Sequence, residues 1–261
     1  MSSGDDLERS GIRAAANPED FDAQQDLGLK LLSVERFHEA IRPLEAARIL
    51  RPQDVILLCN LSTAYSMSGD ARQGEAAAVE ALRLSGGQVG VFELANALRM
   101  GRRFSEAVPL FEEAVRLEPD DIGIRYNLAW SLMGAGRFEE ALSNFTQVLE
   151  EWPKNPVALE LCGQVLVALE RYDDAVPLLR RAVEIDVARW NAHDHLGYSL
   201  LQLGDYEAGV EAYQAMLAVF PDSIVDVGQN LATALDELDR HVEAERTRAS
   251  MAEILARRRQ P

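Results

Sequence analysis

The sequence predicts an all-α fold, a tandem array of two-helix hairpins stacked into a solenoid. Three observations carry that reading. The segments FSEAVPLFEEAVRLEP (104–119), FEEALSNFTQVLEEWP (138–153), YDDAVPLLRRAVEIDV (172–187) and YEAGVEAYQAMLAVFP (206–221) align without gaps and start 34 residues apart, and FHEAIRPLEAARILRP (37–52) fits the same frame. The halves upstream of them align as well: LGLKLL from 27, LSTAYS from 61, LANALR from 94, LAWSLM from 128, CGQVLV from 162, LGYSLL from 196 and LATALD from 231. Within each half, apolar residues recur at helical rather than strand spacing, as in Leu128 with Leu132 and Ala141 with Phe145. Self-similarity at a period of this size is the mark of a solenoid, whose repeats bury their apolar faces against one another.

About seven repeats follow, covering roughly 21–258, with one residue missing near Gly86–Gly87 and one added near Ile224. The organisation expected is an N-terminal arm over 1–20, mobile or a partial helix, then the solenoid with its capping helix over 21–261. Each repeat reads as two antiparallel helices. Small residues where they cross let the axes approach to about 8–10 Å. Gly28, Gly163 and Gly197 hold that place in first helices; Ala40, Ala107, Ala141, Ala175 and Ala244 hold it in second helices. Pro52, Pro119, Pro153 and Pro221 punctuate the repeats, and Asp54, Asp121, Asn155 or Ser223 can cap the helix that follows. Pro109 and Pro177 are expected in the first turn of second helices, where the missing N–H costs nothing. Ala71, Gly74 and Ala76–Ala78 leave the second repeat short of bulk, which predicts the weakest link there. The last helix, about 242–259, has no partner beyond it, and Arg246, Arg248, Glu253 and Arg257–Arg259 read as a solvating cap.

This pattern of Leu-Gly/Ala, a bulky residue, then Ala, a bulky residue and Pro resembles the tetratricopeptide repeat family along nearly the whole chain. The resemblance implies a right-handed solenoid in which first helices line a concave groove and second helices form the convex back. It also implies a protein that holds other proteins. Chaperone-binding members of that family grip a C-terminal carboxylate with Lys, Asn and Arg. Here the equivalent basic positions hold Gln25, Cys59, Phe92, Tyr126 or His195, so that clamp is not recognisable and a chaperone-tail partner is disfavoured.

Composition narrows the function further. Of the 261 residues, 48% are hydrophobic and 26% charged, the balance of a folded globular chain. A net charge of −17, from 43 acidic and 26 basic residues, repels phosphate backbones and anionic membranes, which argues against nucleic acid and favours partners of basic character. No run approaches the ~20 apolar residues of a membrane crossing, so no membrane insertion is expected. The start, MSSGDDLERS, lacks a secretory h-region, and the expected location is cytoplasmic. Cys59 and Cys162 read as buried reduced thiols. His193 and His195, two apart on a helix, point in different directions, with His193 on the packed face; His38 and His241 are expected exposed. Trp152 and Trp190 sit at repeat junctions and are expected to pack there. No phosphate loop, metal-ligand spacing or nucleophile signature is present, so the expectation is no enzyme, no catalytic residues, no metal and no cofactor.

Helical geometry singles out a stripe on each first helix opposite its packing face, and the resemblance makes that stripe the groove. It contains Cys59 and Thr63 in the second repeat and Phe92, Asn96 and Arg99 in the third. The fourth repeat adds Tyr126, Trp130 and Met133, the fifth Gln164, and the sixth Asp194 and Tyr198. Asn60, Asn127 and Asn230 stand at the stripe's edge, where paired amide donors and acceptors suit a peptide backbone. Phe92, Tyr126, Trp130 and Tyr198 are expected to face solvent as an apolar centre, with Asp194, Asp226, Asp236 and Glu237 toward the C-terminal end. The function expected is a non-catalytic adaptor binding a protein or peptide segment. Two alternatives are a self-assembling scaffold and a targeting subunit of an enzyme complex.

Overall fold

The computed structural model describes residues 3–87 and 89–258, with side chains from Asp6 onward. Among the described residues helix α1 (Ser3–Ala16) precedes fourteen further α-helices, first α2 (Phe21–Ser33) with α3 (Phe37–Leu50), α4 (Val55–Met67) with α5 (Ala71–Leu84), and α6 (Val91–Met100) with α7 (Phe104–Leu117). Next along the chain come α8 (Ile122–Gly134), α9 (Phe138–Glu151), and α10 (Pro156–Ala168) with α11 (Tyr172–Ile185). The last pairs are α12 (Trp190–Gln202) with α13 (Tyr206–Val219), and α14 (Ile224–Glu237) with α15 (His241–Arg258). No strand occurs among the described residues. The repeat frame read from the sequence is the frame of the helices, including the short step after the second repeat and the long one before the seventh. The chain divides into two compact halves, Met1–Ala135 and Gly136–Pro261.

Helix boundaries follow from a recurring terminal chemistry. Asp20, Asp54, Asp121 and Asn155 cap first helices by accepting from Ala23, Leu57, Ile124 and the pair Val157/Ala158. First helices close in a shared way: the carbonyls of Leu31, Tyr65, Leu98, Leu166, Leu200 and Leu235 accept a backbone N–H five residues on. That bond requires a left-handed residue just before it, supplied by Gly69 and Gly204 but also by Glu35, Arg102, Glu170 and Asp239 at φ 57–59°. Five second helices then begin on an arginine bonded to an acid three residues on, Arg36–Glu39, Arg103–Glu106, Arg137–Glu140, Arg171–Asp174 and Arg240–Glu243, while Asp70 and Asp205 cap α5 and α13. These exposed pairs order the first turn and add little stability each.

Packing inside the repeats obeys the small-residue code. A Cβ added to Gly163 would stand 2.6 Å from Leu179, and one added to Gly197 would stand 2.7 Å from Tyr213; Gly28 is pressed against Leu44 in the same way. Ala40, Ala107, Ala141, Ala175 and Ala244 are wholly buried. The N-terminal half centres on Phe21, Leu31, Leu44, Leu57 and Leu61, and the C-terminal half on Val210, Tyr213, Met216, Leu231 and Leu235. Helix α1 packs on α2 through buried Ala14, through Gln24 Nε2 donating to the Ala14 carbonyl at 2.8 Å, and through Lys30, which pairs with Asp6 and Asp26.

Two local expectations change, and the packing of a third region comes into view. Pro109 and Pro177 are the sixth residues of α7 and α11, past the first turn. Both face solvent, where the carbonyls they leave unpaired can bond water. Ser223 does not cap α14; its hydroxyl accepts from Trp190 Nε1 at 2.7 Å, in a 3₁₀ turn over Pro221–Ser223, and the added residue lengthens α14 to 14 residues against 13 in α8, α10 and α12. The second repeat replaces bulk with proximity: Gly74 lies directly on Ser66, and Ala77, Ala78 and Ala81 are buried against α4. Helix α15 buries Ala244 and sets Met251 on Gly228, as a cap should; Arg259, read as part of that cap, lies outside the described residues, as do Met1 and Ser2 of the N-terminal arm.

Candidate partner-binding face

In the N-terminal half, α4, α6 and α8 are neighbouring first helices, with α6 touching both of the others. Their stripe residues are more enclosed than the sequence pattern predicts. Phe92, Tyr126, Trp130 and Met133 are half-buried rather than solvent-facing, and Asn96 and Arg99 are buried, at 9% and 8% exposure. The reason is lateral contact. Tyr126 and Trp130, one turn apart on α8, meet edge to face with centroids 6.0 Å apart, and Phe92 meets Phe111 of α7 at 5.9 Å. The Arg99 guanidinium reaches across from α6 to lie 4.6 Å from the Trp130 centroid, and its Nη2 donates to Asn96 Oδ1 at 2.7 Å.

The edge asparagines divide by what their amides already do. Asn127 Nδ2 donates to the Gly123 carbonyl of its own helix at 2.8 Å. Asn60 Nδ2 is buried with no partner among the described residues. Thr63 donates to the Cys59 carbonyl, and Cys59 itself belongs to the core at 6% exposure. Burial, with Glu93 close by, pushes the Cys59 thiol up to about 12, while burial also raises the Glu93 carboxyl. Glu93, which the stripe did not include, opens onto a cavity of about 420 Å³ with Phe92, Glu118, Asp121 and Asn127. The signal available for it was an acid at the first turn of a first helix, beside the stripe.

In the C-terminal half, Gln164 and Asp194 are half-buried, and Tyr198 is 36% exposed, with its ring 6.1 Å from Tyr172 of α11. Asn230 donates to the Tyr213 hydroxyl at 3.3 Å. Burial raises the Asp194 carboxyl and lowers His195. His193 lies on the packed face as expected, with Nε2 3.0 Å from the Val187 carbonyl and its ring against Phe220. His38 and His241 are exposed, and Cys162 is buried with its thiol raised to about 11. Trp190 packs at its junction through Ser223, while Trp152 at the end of α9 is 38% exposed. Asp226 is exposed, and Asp236 pairs with His241 and Arg248 of α15 rather than standing open to a ligand.

The sequence pattern of the tetratricopeptide repeat matches residues 98–143, 132–192 and 192–223. The chain is a tetratricopeptide repeat (TPR) protein. It is similar to the Hsp70-Hsp90 organizing protein of Triticum aestivum, at 32% identity over 104 residues that make up 40% of this chain and 17% of that protein. A similar relation holds to human tetratricopeptide repeat protein 33, at 28% identity over 35% of each chain. The match thus spans about a third or less of these relatives. Among solved structures, MamA 41-end from Desulfovibrio magneticus RS-1 superposes with a TM-score of 0.60 at 25% identity, covering 65% of this chain and 98% of that one. YrrB, a TPR protein with an unusual peptide-binding site, gives 0.53 at 22% identity over 71% of this chain and 96% of its own.

The TPR frame explains why the stripe is enclosed. Adjacent first helices in such an array sit side by side, so a long side chain on one reaches the next, as Arg99 reaches Trp130. No three His, Cys, Asp or Glu side chains among the described residues converge to hold a metal, and no helix of the described residues is long and apolar enough to cross a membrane.

Proposed function

We propose that this TPR protein is a non-catalytic adaptor that binds a partner protein's segment on the first-helix face of α4, α6 and α8. One observation carries the reading: three large aromatic rings, Phe92, Tyr126 and Trp130, remain half-buried on helices whose core positions are already filled, on α8 by Leu128, Ala129 and Leu132. Rings in that state offer stacking area that the fold itself does not use up. The buried, unpartnered amide of Asn60 adds a donor suited to a peptide carbonyl, since a buried donor without an acceptor is costly until a ligand supplies one. In the C-terminal half, exposed Tyr198 and the half-buried Asp194 and Gln164 offer a surface of the same kind.

The net charge of −17 sets the long-range preference of this surface toward segments of overall basic character. Exposed acids are screened over about 10 Å at 0.1 M salt, so salt should slow association more than it speeds dissociation. The test is peptide selection on the full chain followed by affinity measurements on Trp130→Ala and Asn60→Ala. Trp130→Ala should cost about 2 kcal/mol or more in binding. Selected peptides that bind both variants as tightly as the wild type would sink the reading, and so would association that salt does not touch.

A further inference from the structure

Arg99 stands apart from the other buried polar groups of the N-terminal half. It is only 8% exposed, yet no carboxylate among the described residues pairs with it, whereas Arg103 engages both Glu75 and Glu106. Of its five N–H groups, one is used in a hydrogen bond, to Asn96 Oδ1 at 2.7 Å, and Nε is buried without an acceptor. The face of Trp130, 4.6 Å from the guanidinium carbon, offsets only part of the cost of taking the charge out of water. Burial lowers its basicity, and Tyr126 opposes that shift. A cation held this way is hungry for an anion, with its guanidinium carbon over the Trp130 ring and its Nη2 tied to Asn96.

We infer that Arg99 receives a carboxylate from the partner segment, bound in the plane of its guanidinium beside Trp130 and Tyr126. The inference rests on the binding face proposed above and names the chemistry of its anchor. A carboxylate matches the guanidinium fork with two parallel hydrogen bonds. A dianionic phosphate would fit the fork too, but it meets twice the repulsion from a chain of net charge −17. Arg99 also lies two turns along α6 from Phe92, one of the positions equivalent to the chaperone-binding carboxylate clamp, so this anchor is separate from that one. The partner segment then carries one acid in an otherwise neutral or basic stretch. The overall charge attracts the stretch, and Arg99 sets its register.

The experiment selects binders from a displayed random-peptide library on the full chain. They are resynthesised with each Asp or Glu changed to its amide and, separately, with the C-terminus amidated, so that side-chain and terminal carboxylates are told apart. One carboxylate is expected whose loss weakens binding to the wild type at least tenfold but binding to Arg99→Met less than threefold. Without ligand, Arg99→Met should melt at or above the wild-type temperature, because it removes a buried lone charge. Arg99→Gln, which can still bond Asn96, should show the same loss of carboxylate dependence. Binders that lose affinity with Trp130→Ala but have no carboxylate dependence would overturn the inference and leave the face intact. Equal dependence in Arg99→Met and Arg99→Gln to that of the wild type, preference for phosphorylated peptides, or clearly lowered melting of Arg99→Met would overturn it as well. Failure to obtain any binder sensitive to Trp130→Ala removes the binding face itself, and this inference with it.

Discussion

The phenol ring of Tyr213 lies against the bare Cα of Gly197, so that a Cβ there would stand 2.7 Å from its Cζ. Gly163 meets Leu179 in the same way in the repeat before. Overpacking of this kind costs about 1–3 kcal/mol, while alanine regains ~1 kcal/mol of helix propensity over glycine. Gly197→Ala and Gly163→Ala should therefore lower stability by up to about 2 kcal/mol in urea unfolding. Gly11→Ala, on α1 where nothing lies within 4 Å of the new methyl, should raise it by up to about 1 kcal/mol. Equal stability of Gly197→Ala and wild type would mean that α12 and α13 slide apart at little cost.

The left-handed turn between paired helices makes a second prediction. Glu35, Arg102, Glu170 and Asp239 hold a conformation that Gly69, Gly136 and Gly204 adopt freely. An L-residue there costs roughly 1–2 kcal/mol relative to its preferred conformation, partly balanced by glycine's greater entropy when unfolded. Glu170→Gly should stabilise by about 0.5–1 kcal/mol, and Gly204→Ala should destabilise by about 1 kcal/mol. Denaturant midpoints measured on the pair decide it, and opposite signs from these would refute the turn assignment.

Core and face can be separated on α8. Leu128 is 5% exposed, and Leu128→Ala should cost about 2–4 kcal/mol of stability. Trp130 is half-buried and contacts Tyr126 and Arg99 laterally, so Trp130→Ala should cost less, about 1–2 kcal/mol, by losing those ring contacts. Thermal melting of the two variants side by side is the check. Equal losses would make Trp130 a core residue.

Glu93 gives the fold a pH dependence. Burial raises its carboxyl above the ordinary value of 4.5, so the neutral form is favoured when folded. Its contribution to stability is present below that ordinary value and is lost as pH rises through the raised one. Glu93→Gln keeps the neutral state at every pH and should flatten this loss, gaining stability over wild type at neutral pH but not at pH 4. Melting curves from pH 4 to 8 test it; parallel profiles for the two proteins would show that Glu93 does not titrate in the fold.

The repeat, its phase and its crossing points were legible in the sequence because they depend on local periodicity. Spacing fixes which way each Cβ points on a helix, and so Gly28, Gly163 and Ala141 mark crossings by their place in the repeat alone. The turn residues Glu35, Arg102 and Glu170 were not legible, since nothing in their side chains signals a left-handed backbone; the shared bond from five residues on imposes it. The same limit applies to the stripe. Its direction on α6 and α8 followed from helical geometry, but whether Asn96, Arg99 and Trp130 stand in water depends on the neighbouring repeat. Arg99 is long enough to cross between helices and lie over Trp130, and that contact, set by the side-by-side packing of first helices, turned an exposed stripe into a half-buried wall. In the second repeat Gly74 and Ala78 looked like missing bulk, and only the close approach of α4 and α5 shows that small residues there bring two backbones together.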